Sequence, residues 1–112
     1  MDREPTRSIE DPVLAEIVRR LVEVYQPDRI YLFGSQARRD AGPDSDYDLM
    51  VVVPDDASPE RRRSRLAYLR LWGTGAAADV LVWTRSAFER RLHVEASLPA
   101  VIASEGKLLH AA

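Results

Sequence analysis

The chain reads as a single α/β (α+β) domain: a small mixed β-sheet with helices packed mainly on one face. Helix-like and strand-like apolar patterns alternate along it, three short runs are apolar enough to be buried strands, and the length suits one core. With 112 residues, spanning 1–112 as one unit, a domain buries very roughly 65% of the surface its unfolded chain exposes.

The first helix is expected from Val13 to Tyr25. Val13, Leu14, Ile17, Val18, Leu21, Val22 and Tyr25 recur at helical spacing, with Glu16, Arg19, Arg20 and Glu23 between them. Asp11 and Pro12 suit an N-cap and first helical residue, and Gln26-Pro27-Asp28 ends the run. Arg29 to Phe33 is a short apolar, aromatic strand broken by Gly34-Ser35. Gln36 to Asp40 has room for a turn or two of helix, and Gly42 to Ser45 is a loop. Tyr47 to Val53 is the second strand. Ser58-Pro59-Glu60 is expected to open a second long helix through Trp72, with Leu66, Leu69 and Trp72 inward. Ala78 to Trp83 is the third strand. Leu49–Val53 and Val80–Trp83 are so apolar that both strands are expected in the sheet centre. Ser86–His93 and Ser97–Glu105 read as helices, Gly106 as a stop, and Lys107–His110 as a short strand.

The composition narrows the function classes. Hydrophobic residues make up 46% and charged residues 30%, so the chain can fold. A net charge of −2 is too near neutral for a general nucleic-acid binder. With no cysteine, disulfides and cysteine-ligated zinc are out. No apolar run approaches the roughly 20 residues that cross a bilayer, and residues 1–10 lack an apolar signal region. A cytoplasmic protein with no membrane partner is expected.

The segment from Tyr31 to Val53 carries the chemistry. A strand that ends in Gly34-Ser35 before a helix presents unpaired N–H groups to a phosphate. Gly34 permits close backbone approach, the Ser35 hydroxyl can donate, and Arg38 and Arg39 add positive charge. Taken alone, the same residues make an ordinary turn and N-cap. Asp46 and Asp48 share one strand face, roughly 6.5–7 Å apart. Carboxylates so placed repel unless a cation lies between them, and oxygen ligands favour Mg²⁺ or Mn²⁺. Taken alone, Asp-x-Asp is a solvated acidic turn. Asp79 leads another apolar strand, where it needs a partner or metal, or simply caps the strand end.

Competing motifs fail. An EF-hand loop beginning at Asp44 needs glycine where Leu49 stands, and Gly34 is not followed by the Gly-Lys-Ser/Thr of a P-loop. The spaced glycines of a dinucleotide fingerprint are also missing. Arg61, Arg62, Arg63 and Arg65 read first as a solvated helix face and second as a docking surface for an acidic partner or RNA. Trp72 and Trp83 are expected in the core, and His93 and His110 receive no role.

Gly34-Ser35, then Asp46-x-Asp48, then a lone acidic residue on a later strand resembles the DNA polymerase β-like nucleotidyltransferase superfamily. The fuller pattern, Gly34-Ser35-Gln36-Ala37-Arg38 with Ser45-Asp46-Tyr47-Asp48-Leu49, is similar to its minimal nucleotidyltransferase branch. The resemblance implies the polymerase β-like fold and transfer of a nucleoside monophosphate to a hydroxyl. It assigns the triphosphate to Gly34 and Ser35, beside which Arg38 and Arg39 stand as nucleotide-binding candidates on their charge, and two Mg²⁺ ions to the catalytic carboxylates Asp46, Asp48 and Asp79. ATP as the nucleotide rests on the resemblance alone. One departure stands out: the branch usually has glycine after the position of Arg38, and here Arg39 occupies it, with Gly42 three residues on.

The length leaves no room for a separate acceptor-binding domain, so a partner subunit is expected. In the resembled branch that partner is commonly a HEPN-family helical protein, often a toxin whose antitoxin is the nucleotidyltransferase. Some such antitoxins transfer AMP to a toxin tyrosine. The alternatives are a catalytic subunit acting on a small molecule or nucleic acid beside a substrate-binding subunit, and an antitoxin that works by binding alone. A homo- or hetero-oligomer fits each reading.

Overall fold

The computed structural model describes residues 9–34, 37 and 46–112. The expected helix at Gln36–Asp40 and loop at Gly42–Ser45 lie largely or wholly outside them. The described elements are helix α1 (Pro12–Tyr25), strands β1 (Arg29–Phe33) and β2 (Tyr47–Val53), and a 3₁₀ turn (Glu60–Arg62). Helix α2 (Arg65–Leu71), strand β3 (Ala78–Thr84), helices α3 (Arg85–Glu89) and α4 (Leu98–Glu105) and strand β4 (Lys107–Ala111) follow. The mixed α/β class is as expected.

Helix α1 begins as its sequence requires. Asp11 Oδ1 accepts from the Val13 and Leu14 N–H groups, Pro12 holds the first turn, and Gln26 ends the helix in the left-handed region. Leu14, Ile17, Val18, Leu21 and Tyr25 form its buried face.

The sheet order is β3-β2-β1-β4. Strand β1 is antiparallel to both β2 and β4, while β2 and β3 are parallel. Strand β2 is therefore central, with Leu49 to Val53 all buried. The third strand is not central: β3 forms an edge. Its apolar residues do not need two covered faces, since Val80 is buried but Leu81 is exposed and Val82 and Trp83 are half-buried. The larger core lies between the sheet and α1 with α2. On the other face a smaller core joins Tyr31, Met50, Val52, Phe88 and Ile102, with the Tyr31 and Phe88 rings stacked at 5.5 Å. Gly106 lets α4 end against β1, because a Cβ there would meet the Ile102 and Leu32 carbonyl oxygens at 2.5 and 2.9 Å.

The expected second long helix is two pieces. Arg63 takes an extended conformation (φ −110°, ψ 139°) between the 3₁₀ turn and α2. Tertiary hydrogen bonds explain the break. The buried Tyr25 hydroxyl donates to the Arg63 carbonyl and accepts at 3.0 Å from the Ala67 N–H, a donor in the first turn of α2 that it shares with the Ser64 carbonyl. Arg61 donates back to the Tyr25 carbonyl at 2.7 Å. The inward residues of α2 are Ala67 and Leu71, with Leu66 half-buried. Leu69 and Trp72, expected inward, are 62% and 86% exposed, because the break rotates the helical face. Trp83 does pack partly against the smaller core. The last helix and last strand lie where expected, while the helix from Ser86 is shorter than expected and ends at Glu89.

Candidate active site

Strands β2 and β3 run in register, with Asp48 directly beside Asp79. Registered positions on adjacent strands share a face and lie about 4.8 Å apart, so the two carboxylates stand together at one end of the sheet. Asp46 precedes β2 by one residue and is exposed, Asp48 is half-buried, and Asp79 is exposed. Burial raises the Asp48 pKa above the ordinary carboxylate range, and the negative charges of Asp79 and then Asp46 raise it further. The three carboxylates thus feel one another through Asp48. Among the described residues, no three His, Cys, Asp or Glu side chains are gathered closely enough to hold an ion as they stand.

Gly34 closes the site from the strand on the other side. It follows Phe33, which pairs with Asp48 in the antiparallel β1–β2 ladder. Its φ is +74°, and a Cβ there would overlap Asp48 Oδ2. The Gly34 backbone therefore lies tight against the Asp48 carboxylate, and glycine is required there for both conformation and space. Ala37 packs partly against the larger core. Ser35, Arg38 and Arg39, the other expected nucleotide-binding residues, lie outside the described residues.

Two neighbouring contacts were not legible in the chain. The Tyr68 hydroxyl, from α2, donates to Asp79 Oδ1 at 3.3 Å. The Tyr47 hydroxyl, between Asp46 and Asp48, donates to Asp11 Oδ2 at 2.5 Å and so pins the start of β2 to the start of α1. That bond is the chief reason the Asp11 pKa is lowered; burial foremost pushes Tyr47 up to about 12. Only the helical phase of Tyr68 and the alternation of Tyr47 could have hinted at these roles, and neither names a partner.

The nucleotidyltransferase domain model matches residues 13–108, from α1 into β4. The chain belongs to the nucleotidyltransferase domain family. Two solved structures share its fold. One is a protein from Sulfolobus solfataricus provisionally assigned as a nucleotidyltransferase, with TM-score 0.52 and 23% identity over 70% of this chain and 69% of that one. The other is a toxin-antitoxin with AMP-PNP, with TM-score 0.54 and 21% identity over 87% of this chain and 73% of that one. No curated protein matches. Within this family fold, the end of the sheet holding Gly34, Asp48 and Asp79 is the candidate active site. No helix among the described residues is long and apolar enough to cross a membrane.

Proposed function

We propose that this chain is a cytoplasmic, Mg²⁺-dependent adenylyltransferase that moves AMP from ATP to a hydroxyl on a partner protein, a HEPN-family toxin that it neutralises. The observation that carries the reading is Asp48, paired with Asp79 across parallel strands, with the Gly34 backbone folded over its carboxylate. A raised pKa among like charges marks a site that gains from a cation, and an all-carboxylate set suits Mg²⁺. Asp46, Asp48 and Asp79 would hold two such ions, which when bound neutralise phosphate charge.

This chain's residues have distinct tasks. The Gly34 turn brings backbone close to the triphosphate, with Ser35 assigned to its oxygens by the family pattern and Arg38 and Arg39 supplying positive charge beside it. Asp79, oriented by Tyr68, accepts the proton of the acceptor hydroxyl. The hydroxyl oxygen bonds to the α-phosphorus as the bond to the bridging oxygen of the β-phosphate breaks, and pyrophosphate leaves. Positioning and charge neutralisation supply most of the rate gain. The likeness to a toxin-antitoxin with AMP-PNP supports the nucleotide and partner classes.

The test is co-expression with the product of an adjacent gene, followed by ATP and Mg²⁺ and intact mass spectrometry of that partner. A mass gain of one or more AMP units, absent with Asp48→Asn or Asp79→Asn, is expected. Tight, neutralising binding with no mass gain would replace catalysis by contact.

A further inference from the structure

Strand β3 is an open edge, bonded to β2 on one side and to no described strand on the other. Such an edge offers a row of unpaired N–H and C=O groups, the template on which an extended chain adds as a further strand. Proteins commonly protect an edge with lysine, proline or a covering loop. β3 (ADVLVWT) has no lysine or proline. Beside the C-terminal half of this edge lies a groove of about 440 Å³, lined by Val82, Trp83 and Thr84 together with Arg62, Arg90 and Arg91. The arginines come from both sides of the sheet. Arg62 belongs to the 3₁₀ turn that follows β2, while Arg90 and Arg91 follow α3, which packs on the opposite core through Phe88.

We propose that this groove docks an extended, acidic segment of a partner polypeptide, which adds to β3 as a fifth strand and places carboxylates on Arg62, Arg90 and Arg91. The lining contains no acidic side chain to compete. The nearby Asp55 carboxylate is engaged by the Ser86 N–H and hydroxyl. Arg62 uses its Nε on the Ala57 carbonyl at 2.9 Å, which steadies the guanidinium at the groove, and its charge also contributes to lowering the Asp55 pKa. A second copy of the chain suits the edge poorly, because symmetric pairing would bring two sets of arginines together. Nucleic acid matches the charge but cannot use the unpaired backbone. Asp79 lies on the same strand five residues before Thr84, or roughly 16 Å along it. A docked segment therefore runs towards the carboxylates. That last consequence rests on the proposed transfer activity, whereas the docking itself does not.

The test is fluorescence anisotropy with the full chain and a fluorescein-labelled peptide of about eight residues, near a typical strand length, alternating glutamate and threonine. Binding is expected, and Arg90→Glu/Arg91→Glu should weaken it about tenfold or more, as lost charged hydrogen bonds imply. A lysine-for-glutamate peptide should recover binding to that variant. N-methylation at alternate peptide residues, which keeps the charge but blocks the ladder, should also abolish binding. Equal affinity for the N-methylated peptide would overturn strand addition. So would no binding by a chain whose circular dichroism is native, or tighter binding of a single-stranded oligonucleotide of equal charge. Self-association of the chain that the same arginine changes abolish would assign the edge to a second copy instead. Calorimetry of ATP with the Arg90→Glu/Arg91→Glu variant separates the two proposals. Retained nucleotide binding with lost peptide binding belongs to the groove, and the converse belongs to the carboxylate site.

Discussion

At the scale of single residues, Asp48 is held at a cost. Its pKa is raised, so the fold disfavours its ionised form. The stability penalty is absent at low pH and grows as pH rises through the interval from the unfolded value of 3.8 to the higher folded one. Asp48→Asn should therefore raise the Tm by a few degrees at neutral pH without metal. Mg²⁺ should raise the Tm of the wild type and not of the variant; an equal response in both would remove Asp48 from the cation site. Gly34→Ala is expected to cost about 1–2 kcal/mol for the left-handed backbone alone, and more for the overlap with Asp48. Urea unfolding measures it, and no change would mean that the turn relaxes freely.

At the scale of elements, Tyr25 governs how the chain between β2 and β3 is divided. Its hydroxyl serves the Arg63 carbonyl and the Ala67 N–H, and burial foremost drives its pKa up to about 12. Tyr25→Phe removes the hydroxyl from the Arg63 carbonyl and leaves the Ala67 N–H only its bond to the Ser64 carbonyl at 2.9 Å, and it should destabilise by about 1–3 kcal/mol. The C-terminal end of α2 offers a sharper contrast. Leu71 is buried and Trp72 is 86% exposed, so Leu71→Ala should cost about 2–4 kcal/mol and Trp72→Ala no more than about 0.5 kcal/mol. A large loss for Trp72→Ala in denaturant titration would return that residue to the core. The apolar periodicity did announce a helix here. Which turn of it survived depended on a tyrosine some 40 positions earlier, and no local pattern encodes that.

For the molecule as a whole, the pH dependence should have two limbs. Asp11 is lowered chiefly by its bond to Tyr47, Asp55 chiefly by Ser86, and Glu16 to about 2 chiefly by Arg19. Groups lowered in the fold contribute stability above their unfolded values, near 3.8 and 4.5, and lose it as pH falls through their folded ones. On acidification from neutral pH, stability should therefore first rise mildly as Asp48 takes up a proton and then fall below about pH 4. Asp11→Asn should flatten the acid limb and Asp48→Asn should erase the mild rise, both read from Tm against pH. An unchanged acid limb in Asp11→Asn would show that the α1–β2 tie does not couple to folding.

Local chemistry was enough to place α1, β1, β2, α4 and β4, since caps, alternation and breakers act within a few residues. It also singled out Gly34, Asp46, Asp48 and Asp79, because a tight turn and unpaired carboxylates are unusual beside apolar strands. Tertiary structure decided the rest. Strand order put β3 at the edge although it is as apolar as a central strand. Register set Asp48 beside Asp79 across a crossover of 24 residues between Val53 and Ala78. Tyr68 met Asp79, and Arg62 met the groove of Arg90 and Arg91, only when separate elements packed. Periodicity reports which residues leave water; it carries no information on which neighbour receives them, because many pairings bury the same surface.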